Sequence, residues 1–143
     1  MPRTKRNFLP NSYYHIYNRG NNKEEILKYK DDKQLFVNLL YKYHKICDIR
    51  LISYCIMNNH FHLIIKSGKD PKKISKFMQK VTTSFAVQMN RRRQRVGHVF
   101  QGRYNANLLK FKKDLVRATS YVKQNPVRDG VAKKAKDYPW SKV

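Results

Sequence analysis

The chain has 143 residues, which is enough for one domain with a single hydrophobic core. It contains 32 lysines and arginines but 9 aspartates and glutamates, so its formal net charge is +23. A charge this large on a small domain indicates a polyanionic partner, and nucleic acid is the first expectation. A membrane partner is disfavoured, because the sequence has no long apolar run and no signal-peptide pattern. We therefore expect one nucleic-acid-binding domain over residues 1–143.

Residues 1–12 form a basic lead-in to the first predicted elements. A strand follows over residues 13–18 and ends in a turn cluster over residues 19–22. Asp31 is predicted to open the first helix, because Asp31 and Gln34 have the spacing of a capping box. Apolar residues at helical spacing support that helix; they are Leu35, Phe36, Leu39, Leu40 and Tyr43.

The next two predicted strands, over residues 49–57 and 60–66, form a hairpin. Asn58 and Asn59 are the predicted turn, because asparagine tolerates positive φ. Side chains two residues apart in a strand point to the same face. Phe61, Leu63 and Ile65 would therefore face the core, and His60, His62 and Ile64 would share the other face.

His60 and His62 suit two neutral imidazoles that meet one metal ion. Two histidines are too few to close a structural zinc site, and a single His-x-His pair on a strand is a weak signal. From these two residues alone, ordinary surface histidines and metal ligands both remain open interpretations.

A second helix is predicted to begin at Asp70-Pro71, with Asp70 as the N-cap. Its apolar stripe comprises Ile74, Phe77, Met78, Val81, Phe85 and Met89. The helix runs into a basic segment that includes Arg91, Arg92, Arg93 and Arg95. Such a segment is either a solvated surface or a set of phosphate contacts.

The last predicted elements are a loop over residues 97–103, a strand over residues 104–110 and a third helix. Asp114 is predicted to cap that helix, which is predicted to end at Asn125, because Pro126 restricts the residue before it. The order β-α-β-β-α-β-α predicts an α+β fold, a ferredoxin-like split βαβ with an added C-terminal helix. Both earlier helices would cover one sheet face and leave His60 and His62 on an open face.

The third helix has two faces. Leu115, Ala118 and Val122 form its packing stripe. Arg117, Tyr121 and Asn125 are spaced four residues apart on another side, where Arg117 could hold a phosphate and Asn125 could offer an oxygen to a metal. A metal that neutralises a phosphate makes attack by a phenol feasible. From spacing alone, the favoured interpretation is that Tyr121 is one of the ten tyrosines of the chain and only packs a helix.

Five segments, in chain order, resemble one known family. They are residues 14–20, residues 59–64 with the His-hydrophobic-His pattern, residues 97–104, residues 121–130 and residues 137–141. Together they resemble the single-tyrosine (Y1, HUH) transposases of the IS200/IS605 type. The Asn-Pro-Val sequence at residues 125–127 favours the REP-associated tyrosine transposase branch.

The resemblance implies a DNA transposase, an endonuclease and strand transferase that acts in DNA transposition and recombination. His60 and His62 would bind Mg²⁺ or Mn²⁺, and Tyr121 would attack to form a 5′-phosphotyrosine intermediate. Asn125 stands where the family commonly has a glutamine ligand, four residues after the tyrosine. Imidazole ligands by themselves favour Mn²⁺ or Zn²⁺ over Mg²⁺.

Aromatic residues interleaved with lysine and arginine suit unpaired bases. The resemblance implies that the substrate is single-stranded DNA with hairpins. Seven arginines are predicted to bind DNA: Arg19, Arg91, Arg92, Arg93, Arg95, Arg103 and Arg117. The resemblance is compatible with a homodimer. The alternative is a non-catalytic binding module, either RRM-like or a domesticated transposase. Cys47 and Cys55 form no disulfide framework, so we expect buried free thiols and a cytoplasmic protein.

Overall fold

The structure is a computed structural model that describes residues 6–142, so the first five residues of the basic lead-in lie outside it. The described residues form five strands and three α-helices. In chain order these are β1 (Tyr13–Arg19), α1 (Lys30–Ile46), β2 (Arg50–Ile56), β3 (His60–Lys66), α2 (Lys73–Arg93), β4 (Asn105–Leu109), α3 (Lys112–Arg128) and β5 (Ser141–Lys142). None of these helices has the length and apolar character needed to cross a lipid bilayer.

The sheet is antiparallel, with the strand order β4-β1-β3-β2-β5. Its first four members have the order of a ferredoxin-like split βαβ. The predicted fold class is therefore confirmed. The short strand β5 was not predicted, and it extends the β2 edge through the pairing of Cys55 with Ser141.

One face of the sheet is sealed by α1 and α2. Phe61, Leu63 and Ile65 are fully buried there, as the alternation along β3 predicts. All six residues of the predicted α2 stripe are buried as well. Burial of each large apolar side chain contributes about 1.5–3 kcal/mol, so this face supplies most of the stability of the fold.

The opposite face is partly covered, and the prediction that it is open is wrong for that part. Helix α3 packs its Ala118 and Val122 against Ile64 and Cys55 of the sheet. The physical reason is that α3 has an apolar stripe of its own, which must also leave water. Both cysteines are buried free thiols, as predicted.

Helix α1 begins at Lys30, and the predicted capping box of Asp31 and Gln34 is absent. The Asp31 carboxylate instead accepts a hydrogen bond from the Arg93 guanidinium at 2.6 Å. Asp70 likewise does not cap α2 directly. It accepts a hydrogen bond from the backbone N–H of Lys72 at 3.0 Å, in the turn that leads into the helix.

Helix α3 is longer than predicted at both ends. It begins at Lys112, and Asp114 accepts a hydrogen bond from the Phe111 backbone N–H at 3.1 Å rather than serving as the N-cap. It continues through Pro126 to Arg128, so the predicted end at Asn125 is wrong. Proline removes a single N–H donor, and the Asp129 N–H still bonds to the Asn125 carbonyl at 3.1 Å.

The hairpin turn lies at Asn58 and Asn59 as predicted, but neither residue has positive φ. Tertiary hydrogen bonds hold this turn instead. The Asn58 carbonyl accepts from the Leu27 N–H at 2.8 Å, and its side-chain oxygen accepts from the Lys33 ammonium at 2.7 Å. The turn that presents His60 is thus fixed to the segment before α1.

Candidate active site

The register of three strands builds the floor of the candidate site. Tyr17 of β1 lies opposite His62 of β3 on one side and opposite Asn105 of β4 on the other. Arg19 lies opposite His60. Because these positions alternate with the core-facing ones, their side chains share the face on which α3 lies.

A cavity of about 780 Å³ lies above this floor and beside α3. Six of the predicted site residues line it: Arg19, His60, His62, Arg103, Tyr121 and Asn125. The proposed nucleophile, the two proposed imidazole ligands and the amide are therefore brought together by one chain.

His60 has a protein partner on each ring nitrogen. Its Nδ1 lies 2.7 Å from the Asn59 side-chain oxygen, and its Nε2 lies 3.2 Å from the Asn125 side-chain oxygen. Both partners are amide oxygens, which only accept, so a neutral His60 ring donates to just one of them. The shorter contact favours the proton on Nδ1, facing Asn59. Nε2 and the Asn125 oxygen are then two acceptors in contact, an arrangement that suits a cation between them.

The residues present fit a divalent cation at this point. Neighbouring ligands of an octahedral ion with bonds of about 2.1 Å are about 3 Å apart, close to the separation of His60 Nε2 and the Asn125 oxygen. The His62 ring centre is 5.2 Å from that of His60. Burial, with smaller contributions from His15, His60 and Arg128, lowers the pKa of His62 to about 3, so His62 is neutral, as a ligand must be.

The donor set is small. No group of three histidine, cysteine, aspartate or glutamate side chains within residues 6–142 is placed to hold a metal ion. The chain therefore offers two imidazoles and one amide oxygen, which leaves the other coordination positions to water or phosphate oxygens.

His15 is a site residue that the sequence analysis did not single out. Its Nε2 lies 3.0 Å from His62 Nδ1, and burial lowers its pKa. Strand periodicity could have found it, because a count in steps of two from Tyr13 places His15 and Tyr17 on one face.

Tyr121 stands at the edge of the cavity with 48% of its surface exposed. Its ring centre is 5.5 Å from that of His62 and 6.1 Å from that of His15. The Arg128 guanidinium lies 4.1 Å from the centre of the Tyr121 ring and donates to the Tyr121 carbonyl at 2.7 Å. Arg128 was also missed, because the predicted helix ended before it.

The seven arginines predicted to bind DNA lie in different places. Arg19 and Arg103 line the cavity, whereas the exposed Arg117 lies outside its lining.

The basic segment at the end of α2 lies away from the cavity lining, and much of its charge meets acidic residues. Arg93 pairs with Asp31 at 2.6 Å and Asp32 at 2.9 Å, and Arg92 lies 3.6 Å from Asp31. Arg95 pairs with Glu24 at 2.7 Å. Arg91 is exposed. A DNA contact by these residues stays a prediction.

Comparison with known proteins gives a family match over most of the chain. The family model described as "Transposase IS200 like" matches residues 8–125. A Haemophilus influenzae protein named as a REP-associated tyrosine transposase is 26% identical over 99 residues. That match covers 63% of this chain and 56% of the relative, so the chain matches about half the length of that protein.

Two solved structures share the fold. The structure of a REP-associated tyrosine transposase bound to a REP hairpin superposes with a TM-score of 0.82 at 17% identity. It covers 99% of this chain and 82% of that protein. A Deinococcus radiodurans structure, also assigned to a transposase, has a TM-score of 0.57 at 13% identity and covers 86% of this chain and 97% of its own.

Proposed function

Because the chain belongs to the family of IS200-like transposases, we propose that it nicks and rejoins single-stranded DNA through a covalent tyrosine intermediate. The observation that carries the proposal is the placement of Tyr121 beside His60, His62 and Asn125 in one cavity. All four side chains belong to one chain, which supports an active site that is complete in cis.

The proposed substrate is hairpin DNA with an unpaired flank. The relative with the same fold is a REP-associated transposase bound to a REP hairpin. The net charge of +23 and the arginines around the cavity suit a phosphate backbone. A cavity that opens beside α3 suits a single strand better than a duplex, since a single strand can enter it with its bases splayed.

In the proposed cleavage step, the Tyr121 hydroxyl oxygen attacks the scissile phosphorus. A bond forms between phosphorus and the tyrosine oxygen, the bond to the 3′-oxygen breaks, and the phenolic proton ends on the leaving 3′-hydroxyl. The product is a 5′-phosphotyrosine link. A divalent cation such as Mg²⁺ or Mn²⁺, held by His60, His62 and Asn125, would withdraw negative charge from the phosphate.

Arg128 and Arg19 have complementary roles in this proposal. Arg128 stacks on the Tyr121 ring and so restricts the direction of the phenol. Arg19 lines the same cavity and would bind phosphate oxygens of the strand. Rejoining reverses the cleavage step when another 3′-hydroxyl attacks the phosphotyrosine. No ATP is needed, because the covalent link keeps the energy of the phosphodiester.

The test is a covalent-adduct assay with hairpin DNA that carries single-stranded flanks, labelled at the 5′ or the 3′ end. Wild type, Tyr121→Phe and His60→Ala are compared in Mn²⁺ and in EDTA. Tyr29→Phe is the matched control, because Tyr29 is also exposed but stacks on Arg93 outside the cavity. Products are separated by denaturing electrophoresis.

We expect an adduct on the strand 3′ of the break that needs Mn²⁺, forms in the wild type and in Tyr29→Phe, and is absent from both site variants. Tyr121→Phe should bind the hairpin as tightly as the wild type does. An adduct that persists in Tyr121→Phe would remove Tyr121 from the nucleophile role. Hairpin binding without an adduct in any metal would favour the non-catalytic binding module.

A further inference from the structure

We propose that His15 is a positioning residue that fixes the tautomer and the direction of His62. His15 would accept the Nδ1 proton of His62 and so leave His62 Nε2 free to bind a divalent cation. This inference rests on the proposed function, because it explains how the second imidazole is prepared for the metal.

The contact between His15 and His62 allows two positions of the shared proton. His15 Nε2 and His62 Nδ1 are 3.0 Å apart, the ring centres are 5.1 Å apart, and the ring planes are inclined by 28°. A neutral imidazole has one N–H, so only one of these two nitrogens carries the shared proton. If His62 donates, its Nε2 is a bare lone pair; if His15 donates, His62 carries its proton on Nε2 and cannot be a ligand.

The contacts of His60 favour the arrangement in which His62 donates to His15. His60 also uses Nδ1 toward a protein acceptor, the Asn59 side-chain oxygen, and this leaves its Nε2 facing Asn125. With His62 as the donor to His15, both imidazoles engage the protein through Nδ1 and present Nε2. With the opposite arrangement, His62 would carry its proton on Nε2, and the two imidazoles would not both offer a free nitrogen to one cation.

His15 is held rigidly enough for this role. The ring of Tyr17 lies 5.0 Å from its ring on one side, and the ring of His62 lies 5.1 Å from it. His62 itself is only 7% exposed, so water does not replace the acceptor easily. Metal-binding histidines usually donate their other nitrogen to a carboxylate, a carbonyl or water. Here an imidazole takes that place.

His15 is not proposed as a third ligand. Its Nε2 is directed at His62 Nδ1, and the described residues hold no group of three histidine or acidic side chains suited to one metal. On β1 it lies opposite Ile64, whereas His60 lies opposite Arg19 at the other end of the strand. Along the paired strands, His15 therefore lies on the opposite side of His62 from His60.

The first measurement is the tautomer of each histidine in the metal-free protein, by long-range ¹H–¹⁵N NMR at neutral pH. We expect the Nδ1–H form at His62, with His15 Nε2 as an unprotonated acceptor. A His62 ring protonated at Nε2 would overturn the inference. This readout needs neither metal nor DNA. A wild type with the expected tautomer that binds no Mn²⁺ would therefore count against the metal in the proposed function while supporting the role of His15.

The second measurement uses His15→Phe, His15→Gln and the control His98→Phe, with His98 exposed in the loop after α2. Loss of such a partner typically weakens metal binding about 10–100-fold, and we expect that loss of Mn²⁺ affinity by calorimetry in His15→Phe. Glutamine keeps an acceptor oxygen at similar reach, so His15→Gln should retain the His62 tautomer and most of the affinity.

Thermal midpoints of all three variants verify that each is folded. Unchanged Mn²⁺ affinity in folded His15→Phe would overturn the inference. Equal loss in the Phe and Gln variants would also overturn it, because acceptor chemistry would then be irrelevant. Metal-induced ¹⁵N shifts at His15 Nε2 of the size seen for a direct ligand would replace the positioning role with ligation.

Discussion

The two faces of the sheet solve different problems with the same strands. On the face under α1 and α2, every inward side chain of β3 is apolar and fully buried. On the face under α3, the same strand presents His60, His62 and Ile64, and only Ile64 belongs to an apolar cluster. The first face contributes most of the buried apolar surface that stabilises the fold. The second face holds the imidazoles of His60 and His62 beside a cavity, where hydrogen bonds fix their orientation.

Substitutions at two adjacent positions of β3, one on each face of the sheet, test this difference between the faces most strongly. Phe61 packs against Phe36 at 4.8 Å and is fully buried, so Phe61→Ala should lower the free energy of unfolding by about 3–5 kcal/mol. His60→Ala removes a half-buried side chain from the other face and should change it by no more than about 1 kcal/mol while abolishing the adduct. Urea titration measures both. Equal destabilisation would mean that both faces carry the fold.

The face under α3 is itself divided, and Cys55 reports on its sealed part. Burial raises the pKa of the Cys55 thiol to about 12, from an ordinary value of 9.0. Three pKa units correspond to about a thousandfold lower thiolate population, so the native thiol should react with a disulfide reagent at pH 8 at least that much more slowly than in urea.

The measurement is made in a Cys47→Ala background, because Cys47 is also a buried free thiol. The sign follows from the direction of the shift. The unfolded chain releases the Cys55 proton above pH 9, whereas the folded protein keeps it up to about pH 12. The protonated thiol therefore contributes its full share to the free energy of unfolding below pH 9, and this share is lost as the pH rises toward 12. Rapid labelling of the folded protein at pH 8 would show that α3 opens away from the sheet.

The sealed face could be predicted from sequence almost completely, because apolar periodicity is the signal that burial itself imposes. The stripe of α2 and the alternation along β3 are examples. The polar elements were harder. Asp31 was predicted to cap α1 locally, but its carboxylate binds Arg93, which is 62 residues away in sequence. Local rules do not contain such tertiary competition.

The candidate site shows the same limit. Tyr121, His60, His62 and Asn125 were named from motif and spacing, and the fold brings them together. His15 and Arg128 were missed because their roles depend on strand register and on a helix that continues through Pro126. The predicted topology already places β1 beside β3, but the register that brings His15 beside His62 does not follow from a single sequence. The tolerance of a proline in the last turn does not follow from it either.

The smallest expected effects separate structural from functional charge. Asp32 is 1% exposed and meets Arg93 at 2.9 Å, so Asp32→Asn should cost about 1–2 kcal/mol of stability, less than a fully buried pair, because Arg93 reaches solvent. Hairpin affinity should not weaken.

Arg19→Gln should leave stability unchanged and weaken hairpin binding. The slope of log affinity against log salt should become shallower by about 0.7, as expected for one lost phosphate contact to a single strand. Fluorescence anisotropy across a salt series measures the slope, and thermal unfolding measures stability. Tighter hairpin binding by Asp32→Asn, which removes one carboxylate partner of Arg93, together with an unchanged salt slope in Arg19→Gln would place the DNA on the basic end of α2 instead of at the cavity.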